Sequence, residues 1–448
     1  MENTLQKPLV AGMQKAKRTP ATRRERWTWY LYDFGNSAYA AVVLLAVYSA
    51  YFKQQVVGGA EGARLWGFSV GIAMFVVAIL SPVLGALADF AAKKKRFLFM
   101  FTSLAVVFTA LLFFVQEGDI LMGMVFFILA EIGYRGGQVF YNALLPEIAE
   151  PDDMGRVSGN GWALGSLGGI ICLAIVLALI MLVKGTFVIR ISFLITAGFY
   201  ILSSLPLFIY LRERKTPQVL PKGENYLTVS FRKLYRTWRQ AGKLKQFLLF
   251  IVAFVVFNNG IMMTLDFASI IGVTLFQMTQ QQLIIFMMIV QVTSVIGAFL
   301  FGKLVPRIGT KVSLVISLLL MIVAVAGIFI VDSMLAFNFI GALAGFALTG
   351  VQSVSRTAVG QLAPEEKAGE FFGVFSLAGQ ISSFTGPALY GMLATSIALG
   401  YERQGWEPIL AEQTGIRIAV WAMIVTLAVG LALLLFVRNW KRAEIAAD

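Results

Sequence analysis

Apolar residues along this chain gather into long runs separated by short polar segments. A helix needs about 20 apolar residues to cross the hydrocarbon of a bilayer. Twelve runs meet that requirement: 27–52, 65–88, 97–115, 120–144, 157–183, 186–210, 245–275, 282–302, 311–331, 335–361, 370–398 and 414–437. Each is predicted to be a membrane-spanning helix. The longest internal polar stretch, 211–244, divides them six and six. The expected organisation is a tail (1–26), a first bundle (27–210), a linker (211–244), a second bundle (245–438) and a second tail (439–448). Within the linker, Leu227, Phe231, Leu234 and Trp238 share one helical face, flanked by Arg232, Lys233, Arg236 and Arg239. That pattern predicts a helix lying on the inner leaflet.

The two halves repeat each other. Gly85-x-x-x-Asp89 is followed by Lys93-Lys94-Lys95-Arg96, and Gly302-x-x-x-Pro306-Arg307 by Gly309-Thr310-Lys311. Pro146 precedes Gly155-Arg-Val-Ser-Gly159 as Pro364 precedes Gly369-Glu-Phe-Phe-Gly373. Parallel repeats of six helices imply a pseudo-two-fold axis along the membrane normal. The fold class read here is an all-α membrane protein of two pseudo-symmetric six-helix bundles.

Polar interruptions of the runs point to a site. Glu131, Arg135, Gln138 and Asn142 recur along one face of a helix that is otherwise apolar. A charge at mid-bilayer costs roughly 2.5–3.5 kcal/mol on insertion scales, so this face must look at protein or water. The alternative is a pair that merely locks helices together. Apart from Arg190, which can snorkel to an interface, the ionisable residues well inside the runs are Asp33, Glu131, Arg135, Asp266 and Arg356. They fall in spans 1, 4, 7 and 10. Charge on every third helix is what a central cavity between two bundles would produce. The candidate cavity residues are Asp33, Asn36, Glu131, Arg135, Gln138, Asn142, Asn259, Asp266, Gln352, Arg356 and Gln380. Counting depth at 1.5 Å per residue puts Asp33 and Arg135 at similar levels. Arg135 is therefore expected to be shared between Asp33 and Glu131, while Asp266 and Arg356 should not pair. Gly161, Gly165 and Gly169, and Gly341 and Gly345, have the spacing of close helix contacts.

Composition narrows the classes. The chain is 58% hydrophobic and 14% charged, with mean hydropathy +0.79; a soluble domain is nearer 25% charged. The net charge of +13 would suggest nucleic acid in a soluble protein. Here most Lys and Arg fall on the side of both tails, which is the positive-inside pattern of cytoplasmic termini. No nucleic-acid partner is expected. The chain has no His and a single Cys, which argues against a metal site, a disulfide and catalytic residues. Neither Gly-Lys dipeptide is followed by Ser or Thr, so there is no phosphate-binding loop. No cofactor is expected. Residues 1–26 are basic and lead into a long run containing Asp33 and Asn36, a retained helix rather than a signal peptide.

Several stretches resemble one family. They are Tyr32-Asp33-Phe-Gly-Asn36-Ser37-Ala38-Tyr39, Ser81-Pro82-Val-Leu-Gly85-Ala-Leu-Ala-Asp89, Phe140-Tyr141-Asn142-Ala-Leu-Leu-Pro146, Ser158-Gly-Asn-Gly161-Trp162-Ala-Leu-Gly165, Gln352-Ser-Val-Ser-Arg356, and Phe371-Phe372-Gly373 through Gly386-Pro387. Together they are similar to the major facilitator superfamily, in its autophagy-related vacuolar effluxer branch with bacterial relatives. Asn259-Gly260 stands where that branch suggests Asp-Gly, and Ser166 where a Tyr is common.

The resemblance implies a secondary active transporter, not an enzyme. It would move a small polar, zwitterionic or anionic, amino-acid-like solute by alternating access. Asp33 and Glu131 are the candidates for proton coupling, and Gly85, Asp89, Arg96 and Arg307 for a conformational gate. The expected setting is a bacterial inner or plasma membrane, or a vacuolar membrane in a fungus. Apart from the bilayer and a small-molecule substrate no partner is expected, and the state is a monomer. A lysolipid or lipid flippase of the same fold and a non-transporting membrane sensor are the alternatives.

Overall fold

The computed structural model describes residues 21–90, 93–149, 154–183, 185–214, 232, 244–363 and 368–438. Twelve long helices run through them: α1 (Arg23–Val57), α2 (Glu61–Phe90), α3 (Lys94–Leu111), α4 (Ile120–Ala143), α5 (Met154–Leu182), α6 (Thr186–Tyr210), α7 (Lys245–Phe276), α8 (Gln280–Ile308), α9 (Thr310–Gly327), α10 (Met334–Leu362), α11 (Ala368–Glu402) and α12 (Pro408–Phe436). Eleven of them are long and apolar enough to cross a membrane. The other, α11, is the longest regular helix at 35 residues, but Ser376, Gln380, Ser382, Ser383 and Thr385 dilute its first half. The amphipathic linker helix expected at 227–238 lies outside the described residues, apart from Arg232.

Helix ends extend past the apolar runs wherever polar residues can continue the backbone ladder. At α1, Thr22 and Glu25 form a capping box: the Glu25 amide donates to Thr22 Oγ1 (3.3 Å), and the Thr22 amide donates to Glu25 Oε2 (2.9 Å). Farther along, α1 departs from α-geometry. Ala40–Ala46 and Phe52–Val57 are π-helical, a local widening that often marks functional sites.

Packing repeats between the halves. In the first, α1 packs on α5 and α6, α4 on α2 and α3, and α3 on α6; in the second, α7 packs on α11 and α12, α10 on α8 and α9, and α9 on α12. Across the boundary α2 meets α11 and, by the same symmetry, α5 meets α8. The glycine spacing in α5 serves the α1–α5 contact. A Cβ at Gly161 would press on Trp29, one at Gly165 on the Asp33 carboxylate, and one at Gly168 on the Phe34 backbone. In α10, Gly341 and Gly345 face Phe286 and Val290 of α8.

Where the halves touch sets the overall shape. An even number of crossings puts the ends of α1, α6, α7 and α12 on one face, called here the terminal face; the opposite one is the far face. On the far side, Thr395 Oγ1 donates to the Ala60 carbonyl (2.9 Å), Gln280 Nε2 to the Ala46 carbonyl (3.0 Å) and Trp66 Nε1 to the Asp266 carbonyl (2.8 Å). Ser269 bonds the Leu45 carbonyl, and Lys53 forms an ion pair with Glu412. Closer to the terminal face, Gln380 Nε2 donates to Ser81 Oγ (2.8 Å). Beyond it, Asn142, Ser158, Asn160, Arg356, Phe372 and Ser376 are exposed, and a Cβ at Gly85, Gly159, Gly302 or Gly373 would meet nothing. The two bundles close on the far face and part toward the terminal face.

Candidate functional site

The stripe on α4 is built as its spacing demands. Arg135 Nε donates to Glu131 Oε1 at 2.7 Å, one helical turn away. Glu131 is fully buried, whereas the Arg135 side chain keeps 35% of its surface exposed and lies 5.2 Å from the Tyr134 ring centroid. The pair thus has a sealed acid and an accessible guanidinium. The second carboxylate oxygen, Glu131 Oε2, is buried without a hydrogen-bond partner among the described residues, and so is the hydroxyl of the neighbouring Tyr39. Gln138 is half-buried beside Tyr134, and Asn142 is exposed.

Asp33 does not share Arg135, contrary to expectation: it forms no ion pair among the described residues. A count of residues along a helix does not fix direction. Asp33 is turned toward α5, where its carboxylate sits against Gly165, with Asn36 beside it. Asn36 is buried, and neither of its amide atoms has a hydrogen-bond partner of good geometry among the described residues. The acid within electrostatic reach of Arg135 and Glu131 from another helix is instead Asp266 of α7, a buried residue whose main-chain oxygen is held by Trp66. As expected, Asp266 and Arg356 are not paired.

The remaining polar candidates split into locks and free groups. Asn259 Nδ2 donates to the Val255 carbonyl (2.7 Å), and its Oδ1 accepts from Thr385 Oγ1 of α11 (2.7 Å). Gln352 donates to Asn258, not to Asn259 (3.3 Å). Asn258 went unnoticed in sequence because its neighbour carried the same side chain. Gln380 is engaged with Ser81 across the two halves. Arg356 lies one turn beyond Gln352 on the same face of α10, is exposed, and forms no ion pair among the described residues.

Of the four candidate gate residues, Gly85 borders open space, and the side chain of Asp89 lies outside the described residues. Arg96 and Arg307 are exposed and make no ion pair among the described residues. Neighbouring lysines have clear structural work. Lys94 pairs with Glu147 (2.9 Å). Lys95 Nζ donates to the Leu211 carbonyl after α6 (2.6 Å), and Lys311 Nζ to the Leu435 and Val437 carbonyls at the end of α12 (both 2.8 Å). Each half therefore uses a lysine at the start of its third helix to satisfy orphan carbonyls at the end of its sixth.

A cavity of about 60 Å3 lies elsewhere, among α7, α8, α9 and α10. None of the eleven candidate residues lines it.

Comparison with known proteins settles the lineage. The family model described as "Vacuole effluxer Atg22 like" matches residues 65–398. The chain belongs to the Atg22-like family. The uncharacterised major-facilitator-type transporter YxiO of Bacillus subtilis (strain 168) is 28% identical over 441 residues, covering 95% of this chain and 97% of that one. Autophagy-related protein 22 of Yarrowia lipolytica is 26% identical over 270 residues, covering 53% of this chain and 45% of that one. Among solved structures, the nucleoside transporter NupG superposes with a TM-score of 0.65 at 14% identity, covering 92% of this chain and 98% of that one. A bacterial homologue of the human lysosomal transporter Spinster, in an inward-facing and unoccupied conformation, superposes with a TM-score of 0.66 at 15% identity, covering 92% and 95%. This Atg22-like chain is a multi-pass membrane transporter of the major facilitator type, not an enzyme, and its substrate is a small molecule.

Proposed function

We propose that this transporter moves a small polar, zwitterionic or anionic, amino-acid-like solute by alternating access, with both termini cytoplasmic. The eleven candidate residues form its polar path, and Arg135 and Arg356, one from each half, take the anionic group. The observation that carries the reading is Arg356: a cation on a membrane-spanning helix, accessible, without an ion-pair partner among the described residues, on the face that also carries Gln352. A guanidinium left free at such a cost offers a bidentate fork to a carboxylate or phosphate.

Protonation would supply the switch. Glu131 holds Arg135 only while ionised; a proton on Glu131 frees the guanidinium for substrate. Asp33, a carboxylate on α1 with no ion pair among the described residues, is the second coupling candidate. Gly85, Asp89, Arg96 and Arg307 would gate the terminal face, with Asp89 meeting the positive end of α11 in one state.

Flux into proteoliposomes under an imposed pH gradient tests both parts. Arg356→Gln is expected to lower uptake of anionic and zwitterionic solutes at least tenfold. Asp33→Asn or Glu131→Gln is expected to flatten the pH dependence. Full pH dependence in both acid variants would end the coupling claim, and undiminished uptake in Arg356→Gln would end the anion-binding claim.

A further inference from the structure

The cavity among α7–α10 lies toward the far face, at the closed end of the molecule. Its wall includes Ile261, Leu265, Phe286, Met287, Met321 and Phe337. From the first half, among the described residues, it takes Leu45, whose carbonyl, in the π segment of α1, is bonded by Ser269. Two polar side chains reach the wall, Thr264 and Gln291. Thr264 is satisfied, its hydroxyl donating to the Gly260 carbonyl at 2.7 Å. Gln291 is not. Its Oε1 is turned against Gly169 of α5, and its Nε2 is buried with no hydrogen-bond partner among the described residues.

A space of this size holds the end of an apolar chain rather than a whole small molecule, and its lining rejects water, which needs two to four polar partners. The chemistry left over is specific: an apolar body filling the cavity, with one hydrogen-bond acceptor at the Gln291 end. We propose that the cavity is a subsite for the apolar group of an amphiphilic ligand, whose carbonyl, hydroxyl or carboxylate oxygen accepts from Gln291. Because Leu45 closes the wall from the other half, occupancy depends on how the halves are arranged, and the ligand favours the arrangement that completes the wall. The ligand comes either from water, as a soluble amphiphile, or from the bilayer, as a single-chain lipid. The inference rests on the transport reading only in taking the two halves to change their arrangement.

The test is equilibrium binding to the full chain in nanodiscs, with alkanoates from butanoate to octanoate as probes. The expected result is an apparent Kd that falls at least tenfold along the series. Ala344→Phe, which fills the cavity from α10, should abolish the length dependence and hold octanoate at or below the affinity of butanoate, with a retained cooperative melting transition reporting that the variant folds. Gln291→Leu should weaken octanoate binding about tenfold with the cavity volume kept. Displacement of octanoate by lysophosphatidylcholine in wild type but not in Ala344→Phe identifies a lipid source, and length-dependent binding without displacement identifies a soluble one. A Kd independent of chain length, or one unmoved by both Ala344→Phe and Gln291→Leu, overturns the proposal. The subsite is read by alkanoate chain length and by Gln291→Leu, the anion site by solute uptake in Arg356→Gln, so the two fail separately.

Discussion

Position 131 carries a carboxylate with one oxygen bonded to Arg135 and the other bonded to nothing among the described residues. Removing one member of a buried pair leaves the other uncompensated, at about 3–5 kcal/mol when both are fully buried. Arg135 keeps a third of its side chain accessible, so the effect belongs at or below the low end of that range. Glu131→Gln should lower the thermal midpoint of the purified protein. The double variant Glu131→Gln/Arg135→Gln should recover part of the loss, because no unpaired charge remains. A double variant less stable than the single one would show that Arg135 stabilises the protein even without Glu131 and would end this account. The pair was legible in sequence because spacing of four on a helix fixes direction as well as distance. Asp33 was not, because depth along the normal says nothing about rotation of α1, and its packing against Gly165 of α5 is what aims the carboxylate.

Helix α5 shows how an element is placed by what it lacks. The Phe34 backbone lies where a Cβ on Gly168 would go, so Gly168→Ala must push α1 and α5 apart. Forced overpacking costs about 1–3 kcal/mol, and a lowered melting temperature should report it. Gly159→Ala, where a Cβ meets nothing, is the matched control and should leave melting unchanged or raise it slightly, because Ala favours the helix over Gly. The twelve helices themselves were readable from apolar run length. The π segments of α1 were not, since Ala40–Ala46 reads as any apolar helix. Yet those segments present the Leu45 and Ala46 carbonyls to Ser269 and Gln280 of the other half. Gln280→Leu should therefore weaken the far-face contact, by roughly 0.6 kcal/mol if it behaves as an average hydrogen bond within a membrane. Comparing its melting shift with that of Gln281→Leu, whose 3.5 Å bond to the Ile180 carbonyl is the weaker of the two, checks the ranking.

At the scale of the whole molecule, the repeat in sequence foretold two bundles but not which end they would close. Closure is a sum of contacts between distant residues, and neither half carries its record alone. Lys53 illustrates the gap. It falls just past the first apolar run, 27–52, yet it lies near the end of α1, 5% exposed, paired with Glu412 of α12. An ion pair buried between the halves favours the arrangement in which both partners are present and penalises the one that separates them. Under alternating access, Lys53–Glu412 is then a latch on the far-face-closed state. Neutralising Glu412 as Glu412→Gln should shift the population toward opening at the far face, tenfold for each ~1.4 kcal/mol of lost preference. The single cysteine, Cys172, is buried, so Cys172→Ala gives a background for spin labels at Gln54 and Arg403. Both are exposed, and they lie near the far face on opposite halves. Pulsed dipolar distances between them should show a longer component growing in Glu412→Gln, and the reciprocal Lys53→Met should produce the same component. An unchanged distance distribution in both would mean that the Ser269, Gln280 and Thr395 contacts hold the far face shut without the ion pair.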